Sequence, residues 1–341
     1  MTDWSSLKTL IVSRDEMKDL VTLEEVIGLV EQAFRAHGQG KCLMDPKVHI
    51  FVPEFHGEWE AMPSYLKEPE SSACKWVAIR EKNRPKFGLP TILSTIVYTD
   101  PESGFPLMIC DGTYHTNMRT GASAAVSARW LARKDARRVA LLGSGAVAVG
   151  AARAMDALGR YDTISVWSPT RKNAETFVEK MSKRLRAGMK VAESAEEAVA
   201  GSDVVVTTTL ATEPLVQSDW VRPGTHIAAL GADMEGKQEL ETALVKRAKT
   251  FVDDLDQCVR DGEINVPLRE GALRVEDLAG TIGEVIAGKK PGRESDEEVT
   301  LFDSTGIAVQ DAAVITLEYQ RARERGVGIE KRMIGTGFAD L

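Results

Sequence analysis

Residues 138–148, RVALLGSGAVA, decide the fold. Arg138 to Leu142 is an apolar run of strand length that ends in glycine, and the Ala-rich stretch 146–158 after it reads as a helix. Between them, Gly143, Ser144, Gly145, Ala146, Val147 and Ala148 match the pattern G-x-G-x-x-A. At a strand-to-helix turn the first glycine permits the tight bend. The second lets the backbone approach a pyrophosphate, and the small third residue lets helix and strand pack closely. Phosphates would lie over the free N–H groups and the positive end of the helix. A tight turn without a ligand is the plainer reading of the same six residues. The strand before and the helix after them favour a dinucleotide.

Outward from this turn, TISVWS (163–168), SDVVVTTT (202–209), HIAALGA (226–232) and TFVDDL (250–255) are further apolar strands. Helical stretches at 173–186 and 193–200 lie between them. Strands alternating with helices imply crossover connections and a parallel sheet. Upstream the texture differs. Residues 22–37 read as an amphipathic helix with Val26, Ile27, Leu29, Val30 and Phe34 on one face, N-capped by Thr22 with Glu25 three residues on. VHIFV, KWVAI, TILSTIVYT and PLMIC are short and β-branched, divided by Pro, Gly and charged turns, which predicts a mainly antiparallel sheet. Residues 117–133 are helical again, and 311–330 form a last amphipathic helix that returns to the first domain. The expected architecture is α/β: a Rossmann doubly wound parallel sheet over 125–311, plus an α+β domain made of 1–124 and 312–341.

The chain has 341 residues, enough for two domains, with 43% hydrophobic and 28% charged residues and a net charge of -8. An acidic chain without a basic tract argues against nucleic acid and anionic membranes as partners, and leaves an anionic small substrate open. No apolar run approaches the ~20 residues that span a bilayer. Met1 to Arg14 lacks a secretory pattern, so a cytoplasmic location is expected. Cys42, Cys74, Cys110 and Cys258 form no CxxC pair and read as reduced thiols. His37, His49, His56, His115 and His226 show no paired ligand spacing, so no metal is expected.

The strand after the glycine turn bears on the cofactor. NAD binders carry an acidic residue at its end for the ribose 2'-hydroxyl. Here it ends Val166-Trp167-Ser168-Pro169-Thr170-Arg171-Lys172, and Asp162 lies at the wrong end. Ser168 and Thr170 offer hydrogen bonds, and Arg171 offers a fork to a phosphate. NADP(H) is therefore favoured, with NAD(H) possible. The plainer reading of Arg171 and Lys172 is a solvated helix start. Other strand ends also carry polar or small residues: Thr207, Thr208 and Thr209, then Gly231, Ala232 and Asp233. Asp233 either points toward the nicotinamide half or caps a helix through EGKQELETALV.

Hydride transfer at a carbon bearing nitrogen needs a cation for the substrate carboxylate and a group that exchanges a proton with the nitrogen. Lys75, in the apolar strand ACKWVAI, is either turned to solvent or a buried functional amine. Arg119, among small residues in HTNMRTGASAAVSARWL, is either an anion clamp or an inter-domain ion pair. Glu60, before an expected turn at Met62-Pro63, is an acid, a base or a surface carboxylate, the last being the commoner use. Lys47, Lys67, Arg80, Lys82 and Lys86 favour an acidic substrate or line solvated strand edges.

Taken together, the chain resembles the ornithine cyclodeaminase and mu-crystallin family over nearly its whole length. The motifs that carry this are EAMPSY (60–65), KWVAI (75–79), GLPTILS (88–94), MRTGASAA (118–125), LLGSGAVA (141–148), VVVTTT (204–209), LGADMEGKQEL (230–240), GEINVPL (262–268) and GTIGEVIAGKKPGRESDEEVTLFDSTGIAVQD (280–311). The texture is most similar to the archaeal-type alanine dehydrogenase branch. The resemblance implies a homodimer whose first domain dimerises and binds a small amino acid, 2-oxo acid or imine. It gives Lys75 the substrate carboxylate and proton transfer, Arg119 the carboxylate beside the nicotinamide, and Asp233 the substrate amino group. Lys47 and Met62 join the substrate set, and Thr91, Thr120, Lys237 and Ser304 line the cofactor.

Two residues divide the subclasses. Lys47 stands where cyclodeaminases carry an arginine, as in the alanine dehydrogenases, whereas Glu60 matches a cyclodeaminase glutamate. The implied function is an NAD(P)-dependent oxidoreductase of the alanine dehydrogenase or ketimine reductase type. The alternatives are an ornithine or lysine cyclodeaminase that recycles its NAD, and a non-enzymatic NADPH-linked binding protein.

Overall fold

The computed structural model describes residues 7–55, 57–80 and 82–335. His56 and the last stretch of the expected first domain, 336–341, lie outside the described residues. The chain divides into two compact units, with boundaries after Thr22, Gly40, Thr116 and Ile307.

The first unit is built on a mainly antiparallel sheet. Its strands are β1 (Thr9–Val12), β2 (Cys42–Met44), β3 (Val48–Val52), β4 (Gly57–Lys67), β5 (Glu70–Arg80), β6 (Ile92–Thr99) and β7 (Pro106–Asp111), with a short edge strand Ile329–Lys331. The order is edge strand, β1, β7, β6, β5, β4, β2, and β3 also pairs with β4. Alternation sorts the long β4–β5 pair. Glu58, Glu60, Met62, Ser64 and Leu66 on β4 are buried, as are Ser71, Ala73, Lys75, Val77 and Ile79 on β5. The helix Ala308–Arg325 covers this face, accepting from Ser64 Oγ at the carbonyl of Ala308 (2.9 Å) and from Ser71 Oγ at that of Ala312 (2.8 Å).

The turn expected at Met62-Pro63 is instead the middle of β4. Proline has no N–H to donate and is confined to strand positions where none is needed. Pro63 falls where the β3 register has stopped, at Ala61, and that of β2, from Ser64, has not begun.

The second unit carries an all-parallel sheet of β8 (Arg138–Leu142), β9 (Thr163–Trp167), β10 (Gly188–Val191), β11 (Val204–Thr207), β12 (His226–Ala229), β13 (Lys249–Val252), β14 (Gly280–Thr281) and β15 (Thr300–Asp303). Their order is β10-β9-β8-β11-β12-β15-β13-β14. β11, β12 and β15 are buried at every residue, as central parallel strands require. Strand order reverses between β8 and β11, the switch point where open α/β sheets bind their ligands. The first helix after the switch, Ala146–Ala157, meets Thr113–Leu131 at glycines. A Cβ on Gly121 would lie 2.1 Å from the carbonyl carbon of Gly150.

The contacts put the helix Leu23–Gln39 in the second unit, although the sequence suggests the first. Gly38 meets Gly283 so closely that a Cβ would sit 2.1 Å from its backbone, and Phe34 stands edge-on to Phe302 at 5.9 Å. Arg35 also donates to the carbonyl of Ile286 at 2.8 Å. These partners come from far along the chain, so local periodicity cannot announce them. No helix among the described residues is long and apolar enough to cross a membrane.

Candidate active site

In the second unit the candidate nucleotide residues gather at the carboxyl ends of the strands. Gly143 follows β8 with φ +124°, a conformation that L side chains rarely adopt. A Cβ there would lie 2.2 Å from Thr208 Oγ1, so the loops after β8 and β11 touch at the switch point. Gly145 is the N-cap of Ala146–Ala157, and beyond its chain neighbours nothing lies within 4 Å of the place its Cβ would take. This open backbone at a helix start fits a pyrophosphate. Ser144 Oγ donates to Ser168 Oγ at 3.0 Å and ties the turn to the end of β9.

Thr170 and Arg171 open the helix Arg171–Met181, and both are exposed. The Arg171 guanidinium pairs with Glu175 (3.1 Å) and Glu193 (3.0 Å from Nη2 to Oε1). Its place at an exposed helix start, with two carboxylate partners, is compatible with both readings the sequence allows.

Beneath the loops lies a layer of buried carboxylates that the sequence analysis missed. Glu239 receives Thr207 Oγ1 (2.5 Å), the amide and hydroxyl of Thr209 (both 2.7 Å) and the amide of Gly231 (2.9 Å). Asp253 receives Ser304 Oγ (2.9 Å), Thr305 Oγ1 (3.3 Å) and the amide of Gly306 (2.7 Å). Glu263 accepts from the amides of Glu239 and Leu240. Burial pushes the Glu239 carboxyl up, and burial with the charge of Glu239 pushes Glu263 well above the usual range. Their signal in the sequence is carboxylates inside the apolar motifs KQEL, GEINV and FVDD.

Asp303, the last residue of β15, is fully buried, and burial with the charge of Asp253 pushes it up to about 8. Unfolded, its carboxyl releases the proton near pH ~4. The folded state therefore binds the extra proton between these values. The stability this supplies is complete below ~4 and is lost as pH rises through about 8. We expect the melting temperature to fall from pH 6 to pH 9, and to fall less in Asp303→Asn. Equal slopes in the two proteins would show that Asp303 does not titrate there.

The segment GADMEGK does not start a helix. The helix of this region is Thr242–Arg247, and Asp233 lies in the loop before it, so the N-cap reading fails. Asp233 Oδ1 accepts from Lys237 Nζ at 2.5 Å. Asn265 pins the same loop, donating to the carbonyl of Lys237 (3.0 Å) and accepting from the amide of Gly236 (3.0 Å). Arg119 is 4% exposed, and Thr120 beside it is half-buried. Gly306, at φ +83°, leaves Arg119 its room: a Cβ there would lie 2.4 Å from Nη1.

In the first unit, Lys75 is 1% exposed, which removes the solvent-facing reading. It stands directly across from Met62, and its Nζ lies 3.0 Å and 2.9 Å from the two Asp311 oxygens. His115 Nε2 is 3.3 Å from Asp311, and its Nδ1 is 2.7 Å from Glu318. Asp311, His115 and Glu318 escaped the sequence analysis. Glu60 is 4% exposed, so it is no surface carboxylate, and Lys47 Nζ lies 3.7 Å from it. His49, Glu58 and Glu60 offer ligand-type atoms within 4.8 Å of one another, a grouping made by strand pairing and hidden from sequence spacing. Lys47 beside them gives this cluster the character of an ion-pair network. Thr91, half-buried, holds the amide of Arg80 through its carbonyl at 2.8 Å.

Comparison with known proteins gives the family. Residues 7–326 match the model of the ornithine cyclodeaminase/mu-crystallin family. The alanine dehydrogenase of Archaeoglobus fulgidus is 42% identical over 324 residues, covering 94% of this chain and 98% of that one. A solved archaeal alanine dehydrogenase dimer with bound NAD superposes with a TM-score of 0.91 at 41% identity, covering 96% of this chain and all of the other. The Thermococcus litoralis Δ1-pyrroline-2-carboxylate reductase in complex with NADH and L-proline superposes at 0.92 with 37% identity, covering 94% and 99%. From its glycine turn to its buried lysine, the chain belongs to the ornithine cyclodeaminase/mu-crystallin family.

Proposed function

We propose that the protein is a nicotinamide-dependent oxidoreductase that interconverts an amino acid with its 2-oxo acid or imine, in the manner of an alanine dehydrogenase or a ketimine reductase. The observation that carries this reading is Lys75, an ammonium with its side chain 0% exposed and paired to an equally buried Asp311. Burying an ion pair costs desolvation that well-packed apolar residues would avoid, so stability alone gives little reason to keep it. When bound, the nicotinamide gives or takes a hydride at the substrate's C2. Lys75 and Arg119 are the cations assigned to the substrate carboxylate. Lys75 or Asp233 moves the proton at nitrogen, with Lys237 holding Asp233 in place. The backbone of Gly143 to Val147, with Thr91, Thr120, Thr208, Thr209, Gly231 and Ser304, is assigned to the dinucleotide.

NADP(H) is the preferred cofactor in this reading. β9 ends without a carboxylate, and the surface ion pairs of Arg171, of small net worth, can be exchanged for a 2'-phosphate. A second reading, cyclodeamination with a recycled cofactor, rests on the burial of Glu60.

One absorbance assay separates the readings. NADPH or NADH is offered with ammonia and a panel of 2-oxo acids and cyclic imines, and the oxidised cofactors with amino acids including ornithine. Net cofactor turnover, faster with NADP(H), is the expected result. Ammonia released from ornithine without net absorbance change would replace it with the lyase, and equal use of both cofactors would remove Arg171 from the cofactor site.

We also propose a homodimer. The outer face of the first sheet leaves Leu43, Val48, Ile50 and Trp76 exposed, a patch of the kind that partners cover. Light scattering is expected to give a dimer for the wild type and a monomer for Ile50→Glu. A dimeric variant would move the interface elsewhere.

A further inference from the structure

Four ionisable side chains of the first unit form a buried line: Lys75 on β5, Asp311 and Glu318 on the helix Ala308–Arg325, and His115 on Thr113–Leu131. Their side chains are 0 to 2% exposed. Asp311 and Glu318 are seven residues apart, two helical turns, and so share a face. His115 faces a carboxylate at each ring nitrogen, 3.3 Å from Asp311 and 2.7 Å from Glu318. Burial opposes a charge on the imidazole, and Glu318 and Asp311 overcome it, holding it up to about 9. Taken as charged groups, the line alternates plus, minus, plus, minus and sums to zero.

Two thiols face the line and add no charge, and the Asp111 carboxylate lies beside one of them. The Cys110 thiol on β7, facing Glu318 and Asp111, is pushed well up by burial, and the Cys74 thiol on β5, near Asp311, is raised by burial too. Lys47, His49, Glu58 and Glu60 form a network of their own around β3 and β4.

We propose that His115 is a positioning residue for Lys75: clamped by Glu318 as an imidazolium, it offsets the charge of Asp311, so that Lys75 can pass its proton to the substrate nitrogen and take it back. The bookkeeping is simple. Lys75 loses one proton and the substrate nitrogen gains it, with no change at Asp311 or His115. Without the imidazolium, Asp311 would face Lys75 alone, hold its ammonium more firmly and move its deprotonation to higher pH. This inference rests on the oxidoreductase reading for its chemistry, but the charge on His115 can be read without any turnover.

Two measurements test it on the full-length protein. In the first, kcat/KM for amino-acid oxidation is followed against pH, with L-alanine, L-proline and L-aspartate as probes. His115→Gln and Glu318→Gln are both expected to move the rising limb up by about one unit, lowering the rate about tenfold on that limb. Both should recover the wild-type plateau at high pH and bind NADH as before. A lowered plateau with an unmoved limb would mean a merely structural role and would overturn the proposal. In the second, nitrogen NMR of labelled histidine is expected to show an imidazolium signal at pH 8 that vanishes in His115→Gln. A neutral His115 at pH 7 overturns the proposal whatever the assay gives. If the wild type turns over nothing, the oxidoreductase reading falls, and the spectrum still decides the charge on His115.

Discussion

Lys75→Ala is expected to lower turnover by at least about 10³-fold, the range for losing a proton-transfer group, while NADH binding stays at the wild-type level. The substitution removes one charge from a fully buried pair, which in general destabilises a fold strongly. Here Asp311 keeps His115 at 3.3 Å as a second counter-charge, so the unit should still fold. Three readouts are needed together: the rate, the fluorescence titration of NADH and the melting temperature. Retained turnover with a normal titration would remove Lys75 from the mechanism. Loss of all three would mean that the lysine serves folding first.

The second large effect is expected at Gly143. With φ at +124°, an alanine there is strained whatever the space around it, by roughly 1–3 kcal/mol. The new Cβ would also lie 2.2 Å from Thr208 Oγ1 and 3.1 Å from the Thr208 carbonyl oxygen. Thr208 is held by its hydroxyl on the carbonyl of Leu142 at 3.2 Å, so yielding to the methyl breaks a bond between β8 and the loop after β11. Gly143→Ala should therefore lose both stability and dinucleotide affinity, the latter at least about tenfold if ~1.4 kcal/mol of strain must be relieved on binding. Gly145→Ala is the control. Its φ is -81° and its Cβ would meet nothing within 4 Å, so it should melt normally and lose affinity only. An unchanged NADH titration in Gly143→Ala would mean that the dinucleotide does not lie over this turn.

The parallel sheet is legible because its strands are runs such as VALL and VVVT, buried on both faces and closed by glycine or threonine. TLFD, which becomes the interior strand β15, follows the charged stretch Arg293–Glu298 and is only four residues long, so it shows no period of its own. β4 is obscured for the opposite reason: its core face carries Glu58 and Glu60, and a proline interrupts it. The glycine turn and the lysine are legible because each has an outstanding local context. His115, Asp311 and Glu318 are not. Two of them sit seven apart in DAAVITLEY, where charges in an apolar helix hint at burial, but their partners come from more than two hundred residues away, a distance that only the fold closes.

The buried carboxylates make two parts of the parallel sheet's carboxyl-end rim respond differently to substitution. Glu239 and Asp253 each hold several donors out of reach of water, so a change at either leaves those donors orphaned and is punished at once. After the end of β9, Arg171, Glu175 and Glu193 are joined by exposed pairs that rearrange at little cost. Under the proposed function, the choice of coenzyme can thus be retuned at a few surface positions, while the buried carboxylate layer tolerates almost no change.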